Sequence, residues 1–246
     1  MVVANNAIYN TVGASVSGVT NQLTITNPSN TASSAARASI TVGGATSSDP
    51  SLNFNVTGAT DWEIGIDNSA SDFLKISNST SLGTNDYWIM TTAGERTMPL
   101  QPAFQVYLAS QVNNVTGNGT LYTIAYDTEV FDQGSDYNLG TSTFTAPVTG
   151  RYQFQSAIRA LGLVNLGANN FRLRLETSNR VYNLFAAAAN STYANTMFES
   201  GSILADMDSG DTAIITFFSD GGSKTASVAG DSFGAQNTYF SGFLCV

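Results

Sequence analysis

Asp127 and Glu129 stand two residues apart, a spacing that sets both carboxylates on one face of a strand, as the paired acids of a glycosidase could be. Nothing near them in sequence builds a sugar cleft, so a solvated strand face is the plainer reading. The run DMDSGD brings Asp206, Asp208 and Asp211 together and invites a calcium ion. The helix–loop–helix calcium pattern fails there, because Gly210 comes one place early and Phe217 stands where a glutamate is required. An acidic turn is expected instead. Cys245 is the single cysteine; it has no base partner, and its apolar surroundings in sequence predict a core thiol. The chain contains no histidine, which removes Ser-His-Asp and Cys-His catalysis together with the commonest zinc ligand. The glycines of VGGA and DGGS precede no helix, so no phosphate-cradling loop is expected. Asn-x-Ser/Thr triplets at Asn55 and Asn190 arise readily in a chain so rich in Asn and Thr. The expectation is a protein without a cofactor, a catalytic residue or a metal.

The elements that would carry such residues follow from composition and periodicity. Charged residues are 11% of the 246-residue chain, with 9 Lys and Arg against 18 Asp and Glu and a net charge of −9. Binding to a phosphate backbone is driven by Lys and Arg, so nucleic acid is a poor partner. The 42% hydrophobic and 11% aromatic content is ample for a core, and the polar remainder of Ser, Thr, Asn and Gly suits strands and turns. One cysteine allows no internal disulfide, so packing or oligomerisation must hold the fold. No window reaches the roughly 20 consecutive apolar residues of a membrane span. The first residues lack the basic and apolar regions of a signal peptide, and the expected place of synthesis is a cytoplasm.

Along the chain, residues 1–20 have no sustained period and read as an N-terminal arm. From 21 to 100, the runs QLTITN, ASITVG, LNFNVT, WEIGID, DFLKIS and YWIMTT alternate in strand fashion between turn clusters, which predicts a small β domain. Pro99 and Pro102 then impose an extended connection, placing a boundary near residue 100. From 101 to 246 the strands lengthen. FRLRLE sets Phe171, Leu173 and Leu175 against Arg172, Arg174 and Glu176, one buried and one wet face. TAIITFF and NTYFSGFLCV are apolar on both faces, and the second face of each is expected to meet another subunit. LFAAAANSTYANT is the one run that could form a helical turn.

The stretch FTAPVTGRYQF joins a rigid turn at Pro147 and Gly150 to a strand with Tyr152 and Phe154 on one face. Tyr126, Asp132, Tyr137, Phe144, Gly150, Tyr152 and Phe154 stand at the spacings of the complement C1q globular-head signature. Tyr126 replaces the usual Phe, and Ser156 stands where another aromatic is usual. Downstream, SGDTAIITFF and YFSGFLCV resemble the penultimate and closing strands of that family. The resemblance covers about 104–246 and implies a jelly-roll β-sandwich of the complement and tumour-necrosis-factor type, assembled as a homotrimer. Phe144, Gly150, Tyr152, Phe154, Phe240, Gly242, Phe243 and Leu244 are the expected core and trimer residues.

Animal members of that family usually follow a signal peptide and a collagen-like stalk; here a β domain stands in that place. Its segment ATDWEIGIDNSASDFLKIS resembles stretches that precede head domains in structural and fibre proteins of tailed bacteriophages. The resulting expectation is an all-β, non-enzymatic virion structural protein at the particle surface, a capsid decoration (cement) trimer bound through its N-terminal region to the major capsid protein or another virion protein. The alternatives are a tail fibre or adhesin recognising host surface glycans and a secreted soluble ligand. Asn169, Asn170 and Tyr193 are candidate receptor contacts by their exposure chemistry alone.

Overall fold

The structure, a computed structural model, describes residues 24–163, 170–187, 195–231 and 234–245. The arm at 1–20, Asn169, Tyr193 and most of the alanine-rich run lie outside the described residues. Among the described residues no helix forms, and the fold is all-β.

Four of the six alternating runs in the first part become strands: β1 (Ser51–Val56), β2 (Thr60–Asp67), β3 (Phe73–Ser77) and β4 (Asp86–Met90), closed by the short β5 (Arg96–Thr97). They form an antiparallel meander in sequence order. No strand forms in ASITVG or in the described part of QLTITN: residues 24–50 carry no strand, and Ile25 and Ile40 stay half exposed. An apolar alternation of this length holds a strand only where a partner completes its ladder.

The meander has an unusual polarity. Glu63, Asp67, Lys75 and Ser77 share one face and are buried, roofed by Leu82 and Gly83 of the β3–β4 connection. The Lys75 ammonium lies 2.8 Å from Asp67 and 2.9 Å from Asp86. Ser69 donates to Asp67 at 2.7 Å, and the Gly83 N–H donates to Asp86 at 3.0 Å. The opposite face is apolar and largely uncovered, with Val42, Ala45 and Pro50 approaching only its Ile66 corner. Register aligns Leu52 with Ile64 and Ile76 with both Ile64 and Trp88, while Phe54 faces Trp62 and Leu74 lies between Ile66 and Met90. None of these side chains is buried.

After the connection 98–102, thirteen strands build a sandwich: β6 (Ala103–Tyr107), β7 (Val112–Thr116), β8 (Leu121–Thr123), β9 (Thr128–Asp132), β10 (Tyr137–Asn138), β11 (Thr143–Thr145), β12 (Gly150–Leu161), β13 (Phe171–Thr177), β14 (Val181–Ala187), β15 (Thr196–Met207), β16 (Thr212–Ser219), β17 (Ala226–Val228) and β18 (Tyr239–Leu244). One sheet runs β10-β11-β16-β13-β14, with β8 also on β16; the other runs β15-β12-β18-β6-β9, with β17 and β7 continuing from β12. Alternate side chains from both sheets meet in one core, and the order of strands is that of a jelly roll.

Two expectations change at the sheet faces. The outward face of β16 is covered from within the chain: the guanidinium carbons of Arg172 and Arg174 sit 5.5 and 5.9 Å from the Phe218 ring centre, and Thr216 is buried. The polar face of β13 is accordingly spent on shielding an aromatic neighbour, and the Phe218 part of β16 has its cover within the chain. Cys245 is exposed rather than buried, because β18 ends at Leu244 and the last described residue is held by its backbone N–H to Arg151.

Candidate functional site

The aromatic signature forms the centre of the sandwich. Phe104 stacks on Phe144 at 4.9 Å and meets Phe240 edge-on at 5.0 Å; Phe144 in turn meets Tyr152 and Phe154 edge-on. Such pairs add to the area they bury. Gly242 is required by this cluster: a Cβ there would come within 2.6 Å of the Phe154 ring and 2.9 Å of Phe104. Asp132 closes the next turn, accepting the N–H groups of Asp136 at 3.1 Å and Tyr137 at 2.8 Å.

The two departures from the signature touch each other. The Tyr126 hydroxyl lies 3.2 Å from that of Ser156, which also donates to the Tyr239 carbonyl at 2.9 Å. Both residues are fully buried. A larger ring at 126 and a smaller side chain at 156 therefore compensate in volume, and the hydroxyls satisfy one another. Burial pushes the Tyr126 hydroxyl well above its ordinary value despite the Ser156 contact, so it stays neutral.

The two turn motifs also meet. The N–H of Ala146 donates to Asp211, the N–H of Gly210 returns to Ala146, and the Ser209 hydroxyl donates to the Pro147 carbonyl at 3.0 Å. Gly210 takes a positive φ of 91°, the conformation that favours glycine. Tyr152, on the strand that follows, returns its hydroxyl to Val148 at 2.8 Å. FTAPVTGRYQF is thus one half of a locked pair of turns that aims β12 and its aromatic residues into the core.

None of the acidic candidates forms a reactive pair. Asp127 precedes β9 and accepts the N–H of Ala109 at 2.7 Å, while Glu129 is exposed. Asp211 accepts from Ser178, Asn179 and the Asp208 N–H; the Ser178 hydrogen bond leads in holding its carboxyl below the usual range. Asn170 is half-buried, its backbone and side-chain amides both on Asp220.

What the head does present is one broad face of the β15-β12-β18-β6-β9 sheet. Cross-strand register builds it in rows: Ala103, Phe243, Gln153 and Leu204; then Phe131, Gln105, Ser241, Gln155 and Ser202; then Tyr107, Tyr239, Ala157 and Ser200. These rows contain no charged side chain; charges stand on this face at its two ends, Arg151 across from Asp206 and Arg159 across from Phe198. Phe243 is 50% exposed, Leu204 48% and Phe131 45%, and Phe198 of β15 shares the same face. Phe240 and Gly242 of the closing strand point inward while Tyr239 and Phe243 point outward, so the two greasy sides of β18 serve different surfaces. Aromatic enrichment with charge depletion is the composition of an interface core. Phe131, Phe198 and Leu204 were not singled out from the sequence.

A family model described as the C1q domain matches residues 103–245. Among solved structures, the globular domain of zebrafish complement 1qA protein is similar at 20% identity and a TM-score of 0.39, over 59% of this chain and 98% of that one. Murine APRIL is similar at 10% identity and a TM-score of 0.40, over 59% of this chain and 99% of that one. No curated protein matches the sequence.

Proposed function

The chain belongs to the C1q domain family through residues 103–245, and from that premise we propose that it is a non-enzymatic structural module that works as a homotrimer. The observation that carries this reading is the aromatic outer face of the β15-β12-β18-β6-β9 sheet, with its three uncharged rows and with Phe243, on the middle strand, half exposed in the single chain. A cyclic assembly brings identical surfaces around one axis, and rows without charge meet their copies without repulsion. The same face would be a solubility liability on a lone subunit.

The setting we propose is the outside of a tailed-bacteriophage particle, with the trimer as a capsid decoration protein. Support comes from the likeness of residues 59–77 to segments of phage structural proteins. It comes also from residues 24–48, which carry no strand and are exposed almost throughout, leaving a stretch of chain available for the major capsid protein or another virion protein to grip. Immunogold labelling of intact particles tests this directly. Label over the shell supports decoration, label confined to the tail assigns the protein to a fibre that meets host glycans, and particles without label remove the virion reading.

A further inference from the structure

We propose that the apolar face of the N-terminal meander is a second self-association surface, covered by the same face of other copies of this chain. The inference rests on the homotrimeric reading of the head.

The meander is inverted relative to an ordinary single sheet. Its buried ionisable groups lie on the roofed face, where the Lys75 ammonium bridges the Asp67 and Asp86 carboxylates. The face left open carries Phe54, Trp62, Ile64, Ile76 and Trp88 in register, with Phe54 55% and Ile64 38% exposed. An amphipathic sheet has to cover its apolar side, and among the described residues only its Ile66 corner is approached, by Val42, Ala45 and Pro50.

Three observations select a second copy as the occupant. First, the face lacks charge apart from Arg96 at its β5 edge, opposite Met90, so it is its own complement around a symmetry axis. Second, its β5 edge adjoins the head face. Arg96, Met98, Ala103 and Phe243 line one cleft of about 680 Å³, so the β5 edge of the meander and one end of the head face open onto the same space. Third, the tether is short and fixed. Residues 98–102 span at most about 17 Å; Gln133 donates to the carbonyls of Met98 and Pro99, each at 2.9 Å, and Gln101 donates to Leu244 at 3.2 Å. A trimeric head therefore holds three such faces at an effective concentration on the order of millimolar. Each meets its own copies before any partner from solution. A membrane is a poor competitor, since a chain of net charge −9 is repelled by anionic lipid surfaces.

The chain's two tryptophans, Trp62 and Trp88, both lie on this face, so intrinsic fluorescence reports on it without labelling. The purified wild-type trimer is compared with the dissociated Phe243→Lys variant, with acrylamide as quencher. The expected result is quenching about two- to threefold weaker in the trimer, with emission shifted to the blue. In a Cys245→Ser background, Ile64→Cys is expected to react with a soluble thiol reagent at least about tenfold slower than Asn53→Cys on the opposite face. A trimer whose tryptophans quench as in the monomer, or whose Ile64→Cys thiol reacts as fast as the control, overturns this inference and leaves the head assembly standing. A chain that is monomeric throughout overturns both. Protection that appears only when a different protein is added also overturns it, in favour of a foreign partner.

Discussion

Replacing Phe243 separates assembly from folding. Its side chain points away from the aromatic core, between Ala103 and Gln153 of the neighbouring strands, and is 50% exposed. Burying a whole phenylalanine contributes about 1.5–3 kcal/mol, so the half still accessible is worth about 0.8–1.5 kcal/mol per copy. Three copies lose about 2.3–4.5 kcal/mol in Phe243→Ala, which weakens trimer formation by a factor of about fifty to two thousand. Phe243→Lys loses the same contact and adds an unpaired buried ammonium, costing several kcal/mol more per copy. Sedimentation velocity over a concentration series should therefore rank wild type, Ala and Lys in that order of dissociation. Circular dichroism of the dissociated Lys variant should retain the β signature, because Phe240 and Gly242 still fill the core. Equal dissociation constants for all three would refute the assignment of this face, and loss of β structure in the Lys variant would refute the claim that only assembly depends on residue 243.

Gly242→Ala should do the reverse, forcing a methyl group into Phe154 and Phe104 and destabilising the head by about 1–3 kcal/mol; differential scanning calorimetry reads this as a drop of about 2–4 °C per kcal/mol. Tyr126→Phe and Ser156→Ala should be non-additive, with a coupling of about 0.5–1.5 kcal/mol in a double-mutant cycle from chemical unfolding. Lys75→Met leaves Asp67 and Asp86 facing each other and should cost the meander about 3–5 kcal/mol, seen as faster hydrogen exchange in β2 to β4 with the head unchanged. The same network sets a pH dependence. Burial alone would raise the Asp67 carboxyl, but the hydrogen bond from Lys75, then Ser69, outweighs it and holds it below its ordinary value. The stabilisation is thus present above the unfolded carboxylate range, near pH 4, and is lost as pH falls through the lower folded value. Tryptophan fluorescence of the meander should report an acid transition that Lys75→Met lacks.

The spaced aromatics were legible in the sequence because every one of them has a single steric role, and Phe144, Tyr152, Phe154 and Phe240 all reach the core. The strands β1 to β4 were legible for a similar reason, alternation between turn residues. The polarity of the meander was not. Lys75 reads as a surface residue until Asp67 and Asp86 arrive from two other strands to neutralise it, and one-dimensional alternation cannot say which face is roofed. The second face of TAIITFF misled in the opposite direction, since the arginines that cover Phe218 belong to β13, far back along the chain. Phe198 and Leu204 acquire meaning only once register aligns them with Arg159 and Gln153. The exposed Cys245 shows the weakness of reading burial from composition at a strand end.

The native mass of the wild-type chain, measured by multi-angle light scattering over a dilution series, bears most directly on whether the aromatic outer face of the head is shared between copies. The predicted value is three times the mass of the chain, persisting to low concentration. A well-folded chain that remains a single copy at every concentration would contradict the account.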